Sequence, residues 1–327
     1  MSPLPPRRNF VRYAAAVLAY NLAVVLWGAY VRATGSGAGC GNHWPLCNGV
    51  VLPESPALAT VIEFTHRASS GLDVVLVALL LIWAFRAFPR GSLVRMGAVL
   101  SAVFLATEAL IGAMLVKLEQ VARNASTGRA YSLSAHLVNT LTLLACLTLT
   151  VWWAAGGGRI HAARRRAWLA LPAVVLVVLV GISGAIAALG DTLFPAASLA
   201  AGFRQDFDPA ANIFLRLRLF HPLLAVITAG WLVFYAEMTA RVPGVKRFAR
   251  LLELLVGVQV MAGVTNWLLL APVPMQMLHL LLADLVWIAV ILVCAADLQE
   301  TPASADRWVD AVVAPVVGFE RAGAKQP

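Results

Sequence analysis

Four of the six histidines, His66, His136, His221 and His279, fall inside long apolar stretches, and no two share a stretch. A neutral imidazole in apolar surroundings has two ordinary uses, a hydrogen bond within the core or a bond to a metal. A single one fits the first use. Four at matched depth fit the second better, and one imidazole from each of two facing helices is the donor set of a six-coordinate haem iron. Two neighbours make the histidines unlike. Glu63 stands three residues before His66, and Arg218 three before His221. That spacing sets each on its histidine's helical face. The first site therefore offers a group able to move a proton, and the second a cation able to pair with a porphyrin carboxylate. Glu63 also has a plainer use, as the i,i+4 ion-pair partner of Arg67. His43 and His161 lie in polar connections and read as solvated.

A second constellation is Cys40-Gly41-Asn42-His43-Trp44-Pro45-Leu46-Cys47. The cysteines enclose a segment that a turn can close, and Gly41 and Pro45 favour one. The pair is either a structural staple or a redox-active couple. No Cys-x-x-Cys-His is present, so covalent haem attachment is not implied. Cys146 and Cys294, inside apolar stretches, read as small buried side chains.

The elements that must position these residues are eight apolar runs, at about 13–31, 61–85, 94–116, 131–153, 167–189, 214–237, 248–270 and 274–296. The chain has 327 residues, 61% hydrophobic and 13% charged. A soluble domain carries about 25% charged residues. Runs of this length predict an all-α polytopic membrane protein, since lipid obliges backbone groups to pair within each segment. Seventeen of the 25 Lys and Arg fall before the first run, after each even-numbered run or in the tail. This places both termini in the cytoplasm and the cysteine loop outside, where disulfides persist. The net charge of +9 is then a topology signal divided among short connections, which disfavours nucleic acid as a partner. The first run is too long for a signal-peptide core and reads as a retained helix. Each of the four histidines lies roughly 7–12 Å below the outer surface on an even-numbered helix.

The runs also repeat. Gly28-Ala29 matches Gly184-Ala185, His66 matches His221, Gly112 matches Gly263 and His136 matches His279, with offsets of 143 to 156 residues. The expected architecture is two pseudo-symmetric four-helix bundles. Residues 1–160 carry the reactive site and the cysteine loop, 161–300 hold a permanent cofactor, and 301–327 form a cytoplasmic tail. Glu108 and Asp73 are expected to be polar groups satisfied between helices.

Thr34-Gly35-Ser36-Gly37, the run from Cys40 to Cys47 with Asn48-Gly49, Glu63-Phe64-Thr65-His66-Arg67 and the other three histidines together resemble the haem A synthase family, in its cysteine-pair-containing bacterial type. The resemblance covers about 13–296. It implies an eight-helix oxidoreductase of the cell membrane that converts haem O to haem A for terminal oxidases by oxidising one porphyrin methyl to a formyl group. It further implies that His66 and His136 serve the substrate haem, with Glu63 in catalysis, and that His221 and His279 hold a haem b. Cys40 and Cys47 would form a disulfide, and haem O synthase and cytochrome oxidase assembly factors would be partners. Some members carry a second cysteine pair after the fifth helix. Here 190–213 has none, so a mechanism needing two disulfides is not supported. Three other readings compete. A bis-histidine b-type cytochrome explains the histidines and not Glu63 or the loop. A membrane thiol-disulfide oxidoreductase explains the loop and leaves the histidines idle. A transporter would call for broken helices at midplane, which the proline positions do not supply.

Overall fold

The computed structural model describes residues 5–161, 166–242 and 244–299. Arg164, Arg165 and the expected tail 301–327 lie outside them. Among the described residues the fold is helical throughout, with only two isolated bridges and no strand. The helices are α1 (Pro5–Ala33), α2 (Leu58–Ala87), α3 (Leu93–Lys117), α4 (Thr127–Ala154), α5 (Ala167–Leu193), α6 (Leu199–Phe207), α7 (Ile213–Arg218), α8 (Phe220–Thr239), α9 (Lys246–Leu268) and α10 (Val273–Leu298). Eight segments are long and apolar enough to cross a bilayer, one for each predicted run, with α7 and α8 together making the sixth. Leu79, Ile82, Val226, Leu254 and many similar side chains stay exposed. An apolar surface on this scale is a liability in water and a requirement in lipid. The chain is a multi-pass membrane protein.

The sixth span is interrupted at Leu219, a break that apolar patterning does not reveal. Pro222 has no N–H, so the carbonyl of Arg218 loses the donor that would carry the helix through this point. The connection after α5 contains the nine-residue α6, whose first turn is capped by Ser198 Oγ accepting from the Ala201 amide.

Helix α1 packs on α2, α3 on α4, α5 on α8 and α9 on α10. Helices α4 and α10 are the most buried, and they touch each other at the centre. There the buried Trp287 indole donates to the Leu141 carbonyl at 2.7 Å. One apolar cluster fills the space among α1 to α4, and a second joins α4 to α5, α8, α9 and α10. The two ends of the bundle differ. Arg7 stacks over Phe88, and the Ile160–Gln299 bridge brings the close of α4 to the close of α10, so the basic connections gather at one end. The cysteine loop joins α1 to α2 at the other.

Candidate functional site

The four histidines are the seventh to tenth residues of their spans, so their levels agree within one helical turn. Each faces a glycine on the neighbouring odd-numbered span. A Cβ at Gly28 would lie 2.9 Å from His66 Cε1, one at Gly184 2.9 Å from His221 Cε1, and one at Gly263 2.9 Å from His279 Cε1. Gly112 stands 3.9 Å from His136 Cε1 on the same measure. At the first three positions any side chain would displace the ring. The repeated glycines are therefore seats for the imidazoles. Their repetition was visible in the sequence, but the contact joins separate helices and is visible only in the fold.

All four rings are half-buried. Nδ1 of His66, His136 and His279 is shut away from solvent with no hydrogen-bond partner among the described residues. His221 differs, with Nδ1 3.1 Å from Ser183 Oγ. The His221 and His279 ring centroids are 6.4 Å apart, with the planes at 87°. Metal–nitrogen bonds of ~2.0–2.1 Å set two imidazoles trans across one iron at a centroid separation of about 6.3 Å. The residues present therefore fit a bis-histidine haem. Among the described residues no three His, Cys, Asp or Glu side chains converge on one point.

Glu63 is buried beneath the cysteine loop. Its Oε2 accepts from the Cys40 amide at 2.8 Å, and its Oε1 accepts from Arg67 Nη2 at 2.6 Å and Nε at 3.2 Å. Arg67 Nη1 in turn donates to the carbonyls of His43 and Leu46. The i,i+4 pair expected from spacing is present, and it also clamps the loop onto α2, which spacing does not show. Cys40 and Cys47 form a disulfide with Cα atoms 4.4 Å apart. Thr60 Oγ1 donates to the Gly39 carbonyl at 2.7 Å, and Gly39 lies so close to the Ala59–Thr60 backbone that no Cβ fits. Cys146 and Cys294 are buried free thiols.

Arg218 is not the free cation that its spacing suggested. Its Nη1 donates to Asp191 at 2.8 Å, its Nε to Asp206 and its Nη2 to the Gly202 carbonyl at 3.2 Å. Two carboxylates from α5 and α6 already engage it, and α6 was not foreseen. Asp73 accepts from Asn21 Nδ2 at 2.5 Å, joining α2 to α1. Glu108 accepts from Asn139 Nδ2 at 2.5 Å and from Thr140 Oγ1, joining α3 to α4. Glu108 Oε2 also lies 3.6 Å from His136 Nδ1, within electrostatic reach of the ring although too far for a hydrogen bond. His43 and His161 are exposed.

The profile of the cytochrome oxidase assembly protein family matches residues 11–291. A protein named protoheme IX farnesyltransferase from Thermus thermophilus is 47% identical over 300 residues, covering 90% of this chain and 49% of that protein. The heme A synthase of Bacillus mycoides is 37% identical over 145 residues, covering 44% of this chain and 46% of that one. The corresponding Bacillus cereus protein is 36% identical over the same length. The chain spans about half the length of the curated relatives it matches.

Proposed function

Because the chain belongs to the cytochrome oxidase assembly protein family, we propose that it is a haem A synthase, oxidising a methyl group of haem O to a formyl group. What carries the reading is an asymmetry between two otherwise similar histidine sites. Both offer imidazoles with glycine seats, but only His66 has a buried carboxylate and a disulfide-closed loop beside it. His66 and His136 would hold the substrate haem, and His221 and His279, with ring centroids 6.4 Å apart, would hold a haem b. The two sites belong to four-helix halves, 1–160 and 161–300, related by pseudo-symmetry. The protein sits in the cell membrane with its basic connections in the cytoplasm and the cysteine loop outside.

The bound haem b supplies one-electron chemistry that side chains lack. The protein's own contribution is positional. Gly28 and Gly184 set the imidazole rings, and Glu108, held by Asn139 and Thr140, keeps a carboxylate within electrostatic reach of His136. Oxidation of the methyl carbon to a formyl group needs an oxygen donor such as water and an electron acceptor from outside the chain; Glu63 would accept the protons released, and the Arg67–loop clamp holds it in place and covers it from bulk water.

A second reading follows from the Thermus relative, whose name denotes prenyl transfer. Because this chain matches only about half of that protein, the name does not decide which half does what. Prenyl transfer expels a diphosphate, for which clustered carboxylates holding a divalent cation are the usual device. No such cluster occurs among the described residues, which favours the oxidase reading.

The test is porphyrin extraction from membranes in which the chain is co-expressed with a source of haem O. Haem A should appear with the intact chain and not with His66→Ala. A chain loaded with haem b that leaves haem O untouched would be an electron-transfer cytochrome. Farnesylation of added protohaem would instead establish the second reading.

A further inference from the structure

Among the described residues, neither Arg32 nor Arg129, both at the cysteine-loop end of the bundle, has a carboxylate at ion-pair distance. Arg32, in the last turn of α1, reaches across to the other helices. Its Nη1 donates to the Ala188 carbonyl at 2.9 Å and to Thr192 Oγ1 at 2.7 Å, and its Nη2 to Gln276 Oε1 at 2.9 Å. Arg129 is buried in the first turn of α4. Its Nη1 donates to the carbonyls of Ala122 and Asn124 at 2.7 and 2.8 Å, and its Nε is shut away without a partner. Every acceptor on the two groups is neutral. Asp191 lies within electrostatic reach of Arg32 but not at ion-pair distance, and together with Asp206 it engages Arg218, so these two carboxylates balance two guanidiniums and Arg129 adds a further positive charge at this end. The first turn of a helix is moreover the end at which the macrodipole disfavours a cation. Arg129, buried with only neutral acceptors among the described residues, therefore calls for an opposite charge, and Arg32 keeps its own donors on neutral acceptors beside it.

Their positions indicate where that charge comes from. Arg32 is one turn beyond Gly28, the seat of His66, on the same face of α1. Through Gln276 it also stands one turn beyond His279, and through Ala188 one turn beyond Gly184, the seat of His221. Arg129 is two turns beyond His136 on one face of α4, a rise of about 10 Å. Each guanidinium therefore lies one to two turns from a histidine, on the loop side. That is the reach of a carboxylate arm on a macrocycle whose centre is held by the ring nitrogens.

We propose that Arg32 and Arg129 bind the porphyrin carboxylates, with Arg32 standing between the two histidine pairs and serving both. The assignment rests on the haem reading above. It gives these two arginines the role that charge and spacing alone had suggested for Arg218.

The test titrates the full-length, haem-depleted protein in detergent with haemin and with haemin dimethyl ester, following the Soret band. Esterification removes the anionic charge and leaves the iron chemistry intact. Wild type should prefer the free acid by roughly tenfold or more, the scale of a charge-assisted hydrogen bond. Arg32→Met and Arg129→Met should each narrow the preference, the double variant should abolish it, and Arg32→Lys should keep part of it. Equal affinity of wild type for acid and ester would overturn the proposal without any variant being needed. So would a preference that persists in the double variant. His279→Ala provides the separate check. If it binds haemin as wild type does, the histidine assignment has failed and the carboxylate site falls with it.

Discussion

Both carboxylate oxygens of Glu63 are engaged, one by the Cys40 amide and one by Arg67, so its chemical and structural roles can be separated by substitution. Glu63→Gln keeps the shape and removes the charge. It should lower haem A formation by roughly 10²–10⁴-fold while haem O remains bound, as loss of a proton-transfer group does. Arg67→Gln removes one tie to the loop while the Cys40 amide and Thr60 keep it seated, spares the carboxylate, and should cost less. Extracted porphyrin ratios decide the matter, and an Arg67→Gln defect equal to that of Glu63→Gln would make Glu63 a loop clamp only. The glycine seats give a second prediction. Gly184→Ala or Gly263→Ala puts a methyl against a histidine ring and should lower haem b content, at an overpacking cost of about 1–3 kcal/mol. Gly257→Ala, at a position with open space around it, is the control and should leave the visible spectrum unchanged. That the four histidines share one level and that Glu63 lies one turn from His66 could be read from spacing, because spacing along one helix determines a shared face. The carboxylates that engage Arg218 were not legible because Asp191 and Asp206 approach it from other elements, and the contacts of Arg32 were not because its partners lie more than 150 residues away.

All eight spans could be located from apolar run length, whereas α6 and the break at Leu219 could not. Nine residues are too few to show a periodicity, and a proline near the start of a run is compatible with either a kink or an ordinary first turn. The cysteine loop was legible as a closed turn, but its seating was not. It is held to α2 by the Thr60 hydroxyl and the Arg67 guanidinium as well as by Glu63. The disulfide predicts that thiol-reactive reagents will label neither Cys40 nor Cys47 in unreduced membranes and will label both after reduction and unfolding. Replacing both with Ala should destabilise the protein by about 2–3 kcal/mol, as expected for so short a closed loop. A lowered midpoint in thermal aggregation of the detergent-solubilised protein would register the change. Full labelling before reduction would remove the staple.

In the whole molecule, α4 and α10 form a central wall, with one histidine of each pair on it. Trp287→Phe deletes the indole donor that joins α10 to α4 and keeps most of its apolar contact. It should cost about 1 kcal/mol in stability, read as a lower melting midpoint with haem content retained. The position of the loop has a further consequence for how the protein is made. Basic connections gather at one end of the bundle, and the loop that supplies a donor to Glu63 sits at the other. In the orientation proposed above, α1 and α2 must both be threaded before the loop can be oxidised and settle on α2 at Thr60. The histidines of the later spans need none of this. Newly inserted chains should therefore acquire haem b while still inert, and competence should follow export and oxidation of a single loop. In cells unable to oxidise exported thiols, the protein should accumulate red and inactive. Normal haem A output from such cells would show that the loop need not be closed for the enzyme to mature.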